Sequence, residues 1–244
     1  MDLYESISKY YDEIFPLDPA KAPFVQSLVP KSSQGILDLG CATGALALAL
    51  GREGHRVSGI DLDERMIAIA KSRAEDEGLD VSYRVMDMLG IEEHFDPGSL
   101  DQILCFGNTI VHLSGPDKIR RLLKAVYRLI SPGGVFVVQV LNYDRILDQG
   151  IRQLPVIEGE AFRFLRSYEL EKSTGRILFN TELELKVAQT TFKDVTPLYP
   201  LRFEELKEIL VSAGFRSHRF CSGYEGRDYT LEDFALIAVG QKRR

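Results

Sequence analysis

Short apolar runs alternate with amphipathic helical patterns over most of this chain. Short continuous runs of this kind are typical of strands buried in a parallel sheet. Between them, apolar side chains recur at spacings of three and four residues, which predicts helices. The alternation favours a doubly wound, mostly parallel α/β sheet. Its first five predicted strands are residues 36–39, 56–60, 81–86, 100–106 and 135–140.

The two ends of the chain extend and cover this sheet. The N-terminal residues predict two short helices that form a helical cover, and the C-terminal residues predict a helix followed by a hairpin. The hairpin brings the sheet to seven strands within a single domain, residues 1–244. These terminal elements are the cover at 1–30, the helix at 203–213, and the hairpin strands at 215–221 and 234–240.

The pattern changes from about residue 150. Residues 162–170 and 176–187 alternate apolar and polar positions, which predicts antiparallel strands, and a turn sequence at 173–175 joins them. We predict that residues 150–200 form an antiparallel β insertion or lid. Four arginines of this region are either ligands for a substrate carboxylate or solvated strand charges: Arg163, Arg166, Arg176 and Arg202.

Composition narrows the classes of function. The chain has 30 basic and 36 acidic residues, a formal net charge of −6, and no basic stripe, so we expect no nucleic-acid partner. No apolar run approaches the roughly 18 residues of a membrane span, and the N-terminus lacks the features of a signal peptide. Cys41, Cys105 and Cys221 are widely spaced. Because neither they nor the histidines show metal-ligand spacing, we expect a reducing cytoplasm and no metal.

The sequence GILDLGCATGALALAL at residues 35–50 carries the clearest chemical signal. It predicts a strand, a turn containing Gly40 and Gly44, and a helix that begins near Ala45. A glycine turn that opens a helix presents free N–H groups to a ligand, and Asp38 is an acidic residue in an apolar run. The dinucleotide fingerprint Gly-x-Gly-x-x-Gly does not match GCATGA. A strand, turn and helix without any ligand is the remaining alternative.

The second strand ends at Asp61, whose carboxylate suits a ribose diol because it can accept two hydrogen bonds. Asp38, Gly40, Ala42 and Gly44 resemble the acidic-x-Gly-x-Gly-x-Gly motif of class I S-adenosylmethionine-dependent methyltransferases, with Ala42 in place of the family's middle glycine. The resemblance implies a Rossmann-like fold with strand order 3-2-1-4-5-7-6. It also implies the cofactor S-adenosyl-L-methionine, with S-adenosyl-L-homocysteine as the product.

Within this resemblance the cofactor is expected at the ends of the first four strands and under the N-terminal helices. Tyr11 covers the methionine end, Asp38 and the turn hold the methionine moiety, and Asp87 lies near the adenine. The expected cofactor contacts are Tyr11, Asp38, Gly40, Cys41, Ala42, Gly44, Asp61, Leu62, Asp87, Met88, Phe106 and Gly107.

Two short sequences refine the resemblance. GNTIVHL after the fourth strand and LNYDRIL after the fifth are similar to the glycine N-methyltransferase and glycine/sarcosine methyltransferase branch. Leu141 departs from the arginine of that branch. This similarity implies a small-molecule acceptor with an amine nitrogen, and substrate contacts from Tyr10, Asn108 and Asn142. An RNA or protein methyltransferase and a non-catalytic cofactor-binding module are the alternatives.

No residue stands out as catalytic. His112 is either a base or a packed or surface histidine, and an amine acceptor needs no strong base if it arrives neutral. The sequence leaves the oligomeric state open.

Overall fold

The computed structural model describes residues 3–29 and 35–243, with the side chains of residues 3–6 excepted. Pro30, where the sequence ends the helical cover, lies outside the described residues. The strands are β1 Gly35–Leu39, β2 Arg56–Asp61, β3 Val81–Val85, β4 Leu100–Cys105, β5 Ile130–Leu141, β6 Ile157–Glu158, β7 Phe162–Glu171, β8 Arg176–Leu185, β9 Thr190–Leu198, β10 Ser217–Cys221 and β11 Ala235–Gln241. The α-helices are α1 Leu3–Ile14, α2 Lys21–Ser27, α3 Ala45–Arg52, α4 Glu64–Glu77, α5 Pro116–Leu129, α6 Tyr143–Asp148 and α7 Phe203–Ala213.

The main sheet has seven strands in the order β10-β11-β5-β4-β1-β2-β3. Strands β1 to β5 pair in parallel, and β11 is antiparallel to both β5 and β10. Since β10 and β11 are the sixth and seventh strands of this sheet, the expected order 3-2-1-4-5-7-6 is confirmed. The order reverses beside β1, so a crevice is expected at the carboxyl ends of β1 and β4.

Both faces of the main sheet are buried, as the apolar runs predict. Leu37 and Leu39 of β1 point to the face covered by α5 and α7, whereas Ile36 points to the face covered by α2, α3 and α4. Because side chains alternate along a strand, Asp38 faces the same side as Ile36. Its carboxylate is therefore directed at the layer that contains the N-terminal helices.

A second, antiparallel sheet has the order β6-β7-β8-β9 and lies within the predicted insertion. The sequence missed β9, which pairs with β8 along its length and is largely polar. Tyr168 and Ile177 join the main core, whereas Phe162 and Phe164 pack with Ile14 of α1. The second sheet is thus attached to both the main sheet and the N-terminal helix.

Several predicted boundaries differ from the structure, and the hairpin strand predicted from residue 215, for example, begins at Ser217. The strand predicted to extend to residue 187 ends at Leu185, where the chain turns into β9. Strand β5 begins at Ile130, earlier than predicted, because Ile130 pairs with Leu100 before the register shifts between Leu100 and Gln102. The helix predicted through residue 213 does end at Ala213, and Gly214 caps it in the left-handed conformation.

Candidate functional site

The loop after β1 is held in an unusual backbone conformation. Gly40, Ala42 and Gly44 have φ angles of 71°, 47° and 79°. The N–H groups of Gly40 and Cys41 donate to the carbonyl of Ile60 at 2.8 and 3.0 Å, which ties the loop to the end of β2. Because L-residues avoid positive φ, Ala42 carries a conformational cost that a glycine would not.

The space below the two glycines is filled by protein side chains. A Cβ at Gly40 would collide with Thr109, and a Cβ at Gly44 would lie 2.5 Å from the Tyr83 hydroxyl. That hydroxyl donates to the carbonyl of Gly44 at 3.2 Å. Both positions therefore require glycine for two reasons, the positive φ angle and the lack of space for a Cβ. The interpretation from sequence included only the approach of a ligand and not this packing constraint.

Asp61 is oriented by backbone donors on both sides. Its Oδ2 accepts from the N–H of Ala42 at 2.9 Å, and its Oδ1 accepts from the N–H of Asp63 at 3.0 Å. A carboxylate oxygen can accept more than one hydrogen bond, so both oxygens retain acceptor capacity. The carboxylate is partly exposed at the end of β2 and can bind two neighbouring hydroxyl groups.

Asp38 and Lys21 are distant in sequence and influence each other electrostatically in the fold. Asp38 is only 4% exposed. Burial raises the pKa of its carboxyl to about 7, opposed by Lys21 and reinforced by Asp61. Burial lowers the pKa of Lys21, opposed by Asp38. The Lys21 ammonium also lies 5.3 Å from the ring centre of Phe106 and 5.7 Å from that of Tyr224. Sequence reasoning missed Lys21, because nothing local to it indicates a site.

Helix α1 covers the loop through Asp12, a second residue that sequence reasoning missed. Its carboxylate accepts from the Thr43 hydroxyl at 2.6 Å and pairs with Arg73 of α4. The neighbouring Tyr11 hydroxyl is enclosed: burial raises its pKa, and the carboxylates of Asp61 and Asp12 act in the same direction. The structure therefore places Tyr11 beside the loop and the end of β2.

Tyr10 points elsewhere. Its ring lies 5.2 Å from that of Phe162 and packs on the cluster formed by α1 and the second sheet. The structure does not bring Tyr10 to the loop after β1, and its predicted contact with a substrate stays a prediction.

The residues expected near an adenine ring lie beside Asp61. Leu62 is 69% exposed. The N–H of Met86 donates to the carbonyl of Asp61 at 2.9 Å, and this brings the following segment alongside β2. There Asp87 is exposed and caps a 3₁₀ turn, and Met88 is half-buried. Leu62, Asp87 and Met88 thus lie near the end of β2 and provide both apolar and polar side chains there.

The end of β4 is pinned to the end of β5. Phe106 is buried, and a Cβ at Gly107 would meet nothing closer than 3.9 Å. Asn108 adopts a left-handed conformation, accepts from the N–H of Leu141 at 3.1 Å, and donates to the Tyr143 hydroxyl at 2.9 Å. Both ends of the Asn108 amide are thus engaged, and its predicted contact with a substrate stays a prediction.

Asn142 is held by several hydrogen bonds within the fold. It is 2% exposed and caps α6 by accepting from the N–H of Arg145 at 3.0 Å. Its amide also donates to the carbonyls of Leu231 and Asp233 at 2.8 and 2.9 Å. These hydrogen bonds engage both ends of the amide, and its predicted contact with a substrate stays a prediction.

His112 ends the 3₁₀ turn that follows β4, and its ring is exposed. Partial loss of solvent around the imidazole lowers the pKa of His112, and the negative charge of Asp61 opposes this effect. The imidazole is therefore mainly neutral at pH 7 and able to accept a proton.

Among the described residues, no three histidine, cysteine or acidic side chains are grouped so as to hold a metal ion. Within the same residues no helix is both long and apolar enough to cross a membrane.

The region that contains these strand ends matches a known family. Residues 36–134 match the family model of a methyltransferase domain. A protein of Geobacillus sp. (strain WCH70) named as a methyltransferase is 31% identical over 143 residues, which are 56% of this chain and 57% of that protein. The ubiquinone biosynthesis O-methyltransferase of Pseudomonas entomophila (strain L48) is 28% identical over 126 residues, 52% of each chain. The chain spans about half the length of these curated relatives.

Solved structures show the same fold over nearly the whole chain. An S-adenosylmethionine-dependent methyltransferase from Clostridium acetobutylicum ATCC 824 superposes with a TM-score of 0.81 at 16% identity. The superposition covers 100% of this chain and 100% of that chain. An S-adenosylmethionine-bound amino pentose methyltransferase from Micromonospora echinaspora has a TM-score of 0.71 at 20% identity, with 98% of this chain and 97% of that chain covered. The fold is therefore the Rossmann-like methyltransferase fold.

Proposed function

We propose that this chain is an S-adenosylmethionine-dependent methyltransferase that acts on a small molecule. The observation that carries the proposal is the methyltransferase-domain match at residues 36–134, because that segment contains the loop after β1, Asp61, Asp87 and the end of β4. These are the parts of the main sheet that converge at one edge.

The residues at this edge fit S-adenosyl-L-methionine chemically. The two oxygens of Asp61 retain acceptor capacity for a ribose diol, and the exposed Leu62 beside them suits an adenine ring. The methionine moiety carries one ammonium and one carboxylate. Asp38 and Lys21 supply one charge of each sign, beside a loop with polar backbone groups. We assign the ammonium to Asp38 and the carboxylate to Lys21.

When bound, the cofactor supplies a methyl group on a sulfonium centre, and the chain's part is to hold it and the acceptor in line. Tyr11 and Asp12 place α1 over the loop and keep water from it, and Phe106 closes the floor at the end of β4. Orientation of this kind contributes about 7–11 kcal/mol in favourable cases.

We further propose an amine nitrogen as the acceptor atom. GNTIVHL and LNYDRIL support it through their similarity to the glycine N-methyltransferase branch, with Leu141 as the departure. An amine needs only to arrive neutral, and the neutral imidazole of His112 is able to receive the proton released after transfer. The amino pentose methyltransferase of similar fold supports the same atom, whereas the ubiquinone biosynthesis O-methyltransferase supports oxygen.

Calorimetry tests the cofactor site. We expect S-adenosyl-L-methionine and S-adenosyl-L-homocysteine to bind, and Asp61→Ala to weaken binding by about 10- to 100-fold, because it removes charged hydrogen bonds to the diol. Asp63→Asn, two residues away in an exposed helix cap, is the matched control and should leave the affinity unchanged. No binding of either compound at millimolar concentration would contradict the proposed function. An unchanged Kd in Asp61→Ala would remove Asp61 from the site.

Release of S-adenosyl-L-homocysteine in a screen of acceptors tests the reaction. The screen contains glycine, sarcosine, other small amines, catechols and RNA. Turnover of an amine supports the proposal, and turnover of catechols alone replaces nitrogen by oxygen. Turnover of RNA alone favours the macromolecular alternative. Cofactor binding without turnover of any acceptor favours a non-catalytic module.

A further inference from the structure

In the described part of the chain, Arg166 combines two features: it has no carboxylate partner, and one of its guanidinium nitrogens is buried without a hydrogen-bond partner. Arg163 and Arg202 each pair with two carboxylates, and the exposed guanidinium of Arg176 donates to a main-chain carbonyl. Among the described residues no carboxylate lies within ion-pair distance of Arg166. One of its terminal nitrogens donates to the carbonyl of Pro155 at 2.9 Å, and its Nε is buried without a partner.

The guanidinium lies over an aromatic row that leads to the proposed cofactor site. It is 5.9 Å from the ring centre of Phe164, which neighbours it on the same face of β7. The Phe164 ring lies 5.9 Å from that of Phe15, and the Phe15 ring lies 5.2 Å from that of Tyr11. The row therefore ends at the hydroxyl that faces Asp61.

A second row of polar groups leads from Arg166 to the end of β4. Burial raises the pKa of Tyr168 to about 12, and the nearby Arg166 opposes this. Tyr168 in turn influences Tyr143, whose hydroxyl accepts from the Asn108 amide at 2.9 Å. Asn108 directly follows Gly107, where the backbone is open. Chains of neighbouring residues thus connect Arg166 with Tyr11 on one side and with Asn108 on the other.

The buried Nε of Arg166 is a donor that the fold leaves unused, and such buried polar groups are normally hydrogen-bonded. Burial lowers the pKa of Arg166, and its free donors form the planar fork that matches carboxylate and phosphate oxygens. We propose that Arg166 binds an anionic group of the methyl acceptor, a carboxylate or a phosphate, and so selects acceptors that carry such a group. This assignment rests on the proposed function.

The test uses the whole protein saturated with S-adenosyl-L-homocysteine. Benzoate and inorganic phosphate are titrated calorimetrically as separate probes, with benzamide as the neutral match of benzoate. We expect at least one anion to bind and benzamide to bind at least about tenfold more weakly. The anion that binds distinguishes a carboxylate acceptor from a phosphorylated one.

Substitutions assign the binding to Arg166. Arg166→Met should weaken the anion at least about tenfold, Arg166→Lys should give an intermediate loss because the charge remains without the fork, and Arg163→Met should have no effect. Equal affinity for S-adenosyl-L-homocysteine in all variants shows that they are folded. If neither anion binds the loaded protein, or if both Arg166 variants bind it as tightly as the parent, the assignment is wrong and the proposed function stands. If S-adenosyl-L-homocysteine itself does not bind, both fall together.

Discussion

Replacing Asp38 by asparagine should change how the stability of the protein depends on pH. The carboxyl is 4% exposed at the end of β1 and has a pKa of about 7, against an ordinary value of 3.8. Burial is the main cause, because a charged carboxylate loses its hydration in the interior. Asparagine has nearly the same shape and carries no charge at any pH. The difference between the two proteins therefore isolates the ionisation of Asp38.

The sign and size of the effect follow from these two pKa values. Between about pH 4 and pH 7 the folded protein holds a proton on Asp38 that the unfolded chain has released. The free energy of unfolding therefore falls as the pH rises through this window, and the loss is complete above about pH 7. Since one pKa unit corresponds to about 1.36 kcal/mol, the whole loss is roughly 4 kcal/mol. The Asp38→Asn protein should not show this loss of unfolding free energy, because asparagine does not ionise.

Urea unfolding of both proteins at a series of pH values measures the effect. We expect the stability of Asp38→Asn relative to the parent to rise by roughly 4 kcal/mol between about pH 4 and pH 8. In a Lys21→Met background the rise should extend to higher pH, because Lys21 opposes the raised pKa of Asp38. A stability difference that is the same at pH 5 and pH 8 would refute the reasoning, since it would mean that Asp38 does not titrate in this range.

Two further substitutions test the backbone and packing of the site. Ala42→Gly should relieve a left-handed cost of about 1–2 kcal/mol and lose about 0.4–1 kcal/mol of unfolded-state entropy. The net gain of about 1 kcal/mol should raise Tm by about 2–4 °C in calorimetry, and a lower Tm would contradict it. Asn142→Ala should cost about 2–4 kcal/mol in urea unfolding, because it removes the cap of α6 and the two hydrogen bonds to the carbonyls of Leu231 and Asp233. Gln149→Ala, at the exposed end of the same helix, is its control, and an equally small loss in both would refute the role of Asn142.

The main sheet was predictable from sequence because its information is local. Strands buried in a parallel sheet are mainly apolar, and β1, β4 and the second half of β5 fit this description. Helix ends were similarly visible, since Asp63 caps α4 and Gly214 ends α7 through their own backbone conformations. Strand β9 was missed for the opposite reason. It is mostly exposed and polar, and only its pairing with β8 makes it a strand.

The part of the site formed by distant residues could not be predicted. Lys21 influences Asp38 only because α2 packs on the face to which Asp38 points, and Asp12 contacts Thr43 only because α1 packs against the loop. No spacing in the sequence encodes either contact. Tyr10 shows the same limit, because adjacent residues of a helix point in different directions and only packing decides which one faces the loop.

The contrast between Asn142 and Arg166 shows why the acceptor side is best sought among groups without protein partners. A buried polar group must be hydrogen-bonded, so one whose bonds are all made within the fold has little capacity left for a ligand. Asn142 is of that kind, since both ends of its amide are used. Arg166 retains a buried Nε without a partner and a charge without a counter-charge. The similarity of LNYDRIL to a known branch suggests Asn142 as the contact of the acceptor, whereas the unused hydrogen-bonding capacity of Arg166 favours Arg166.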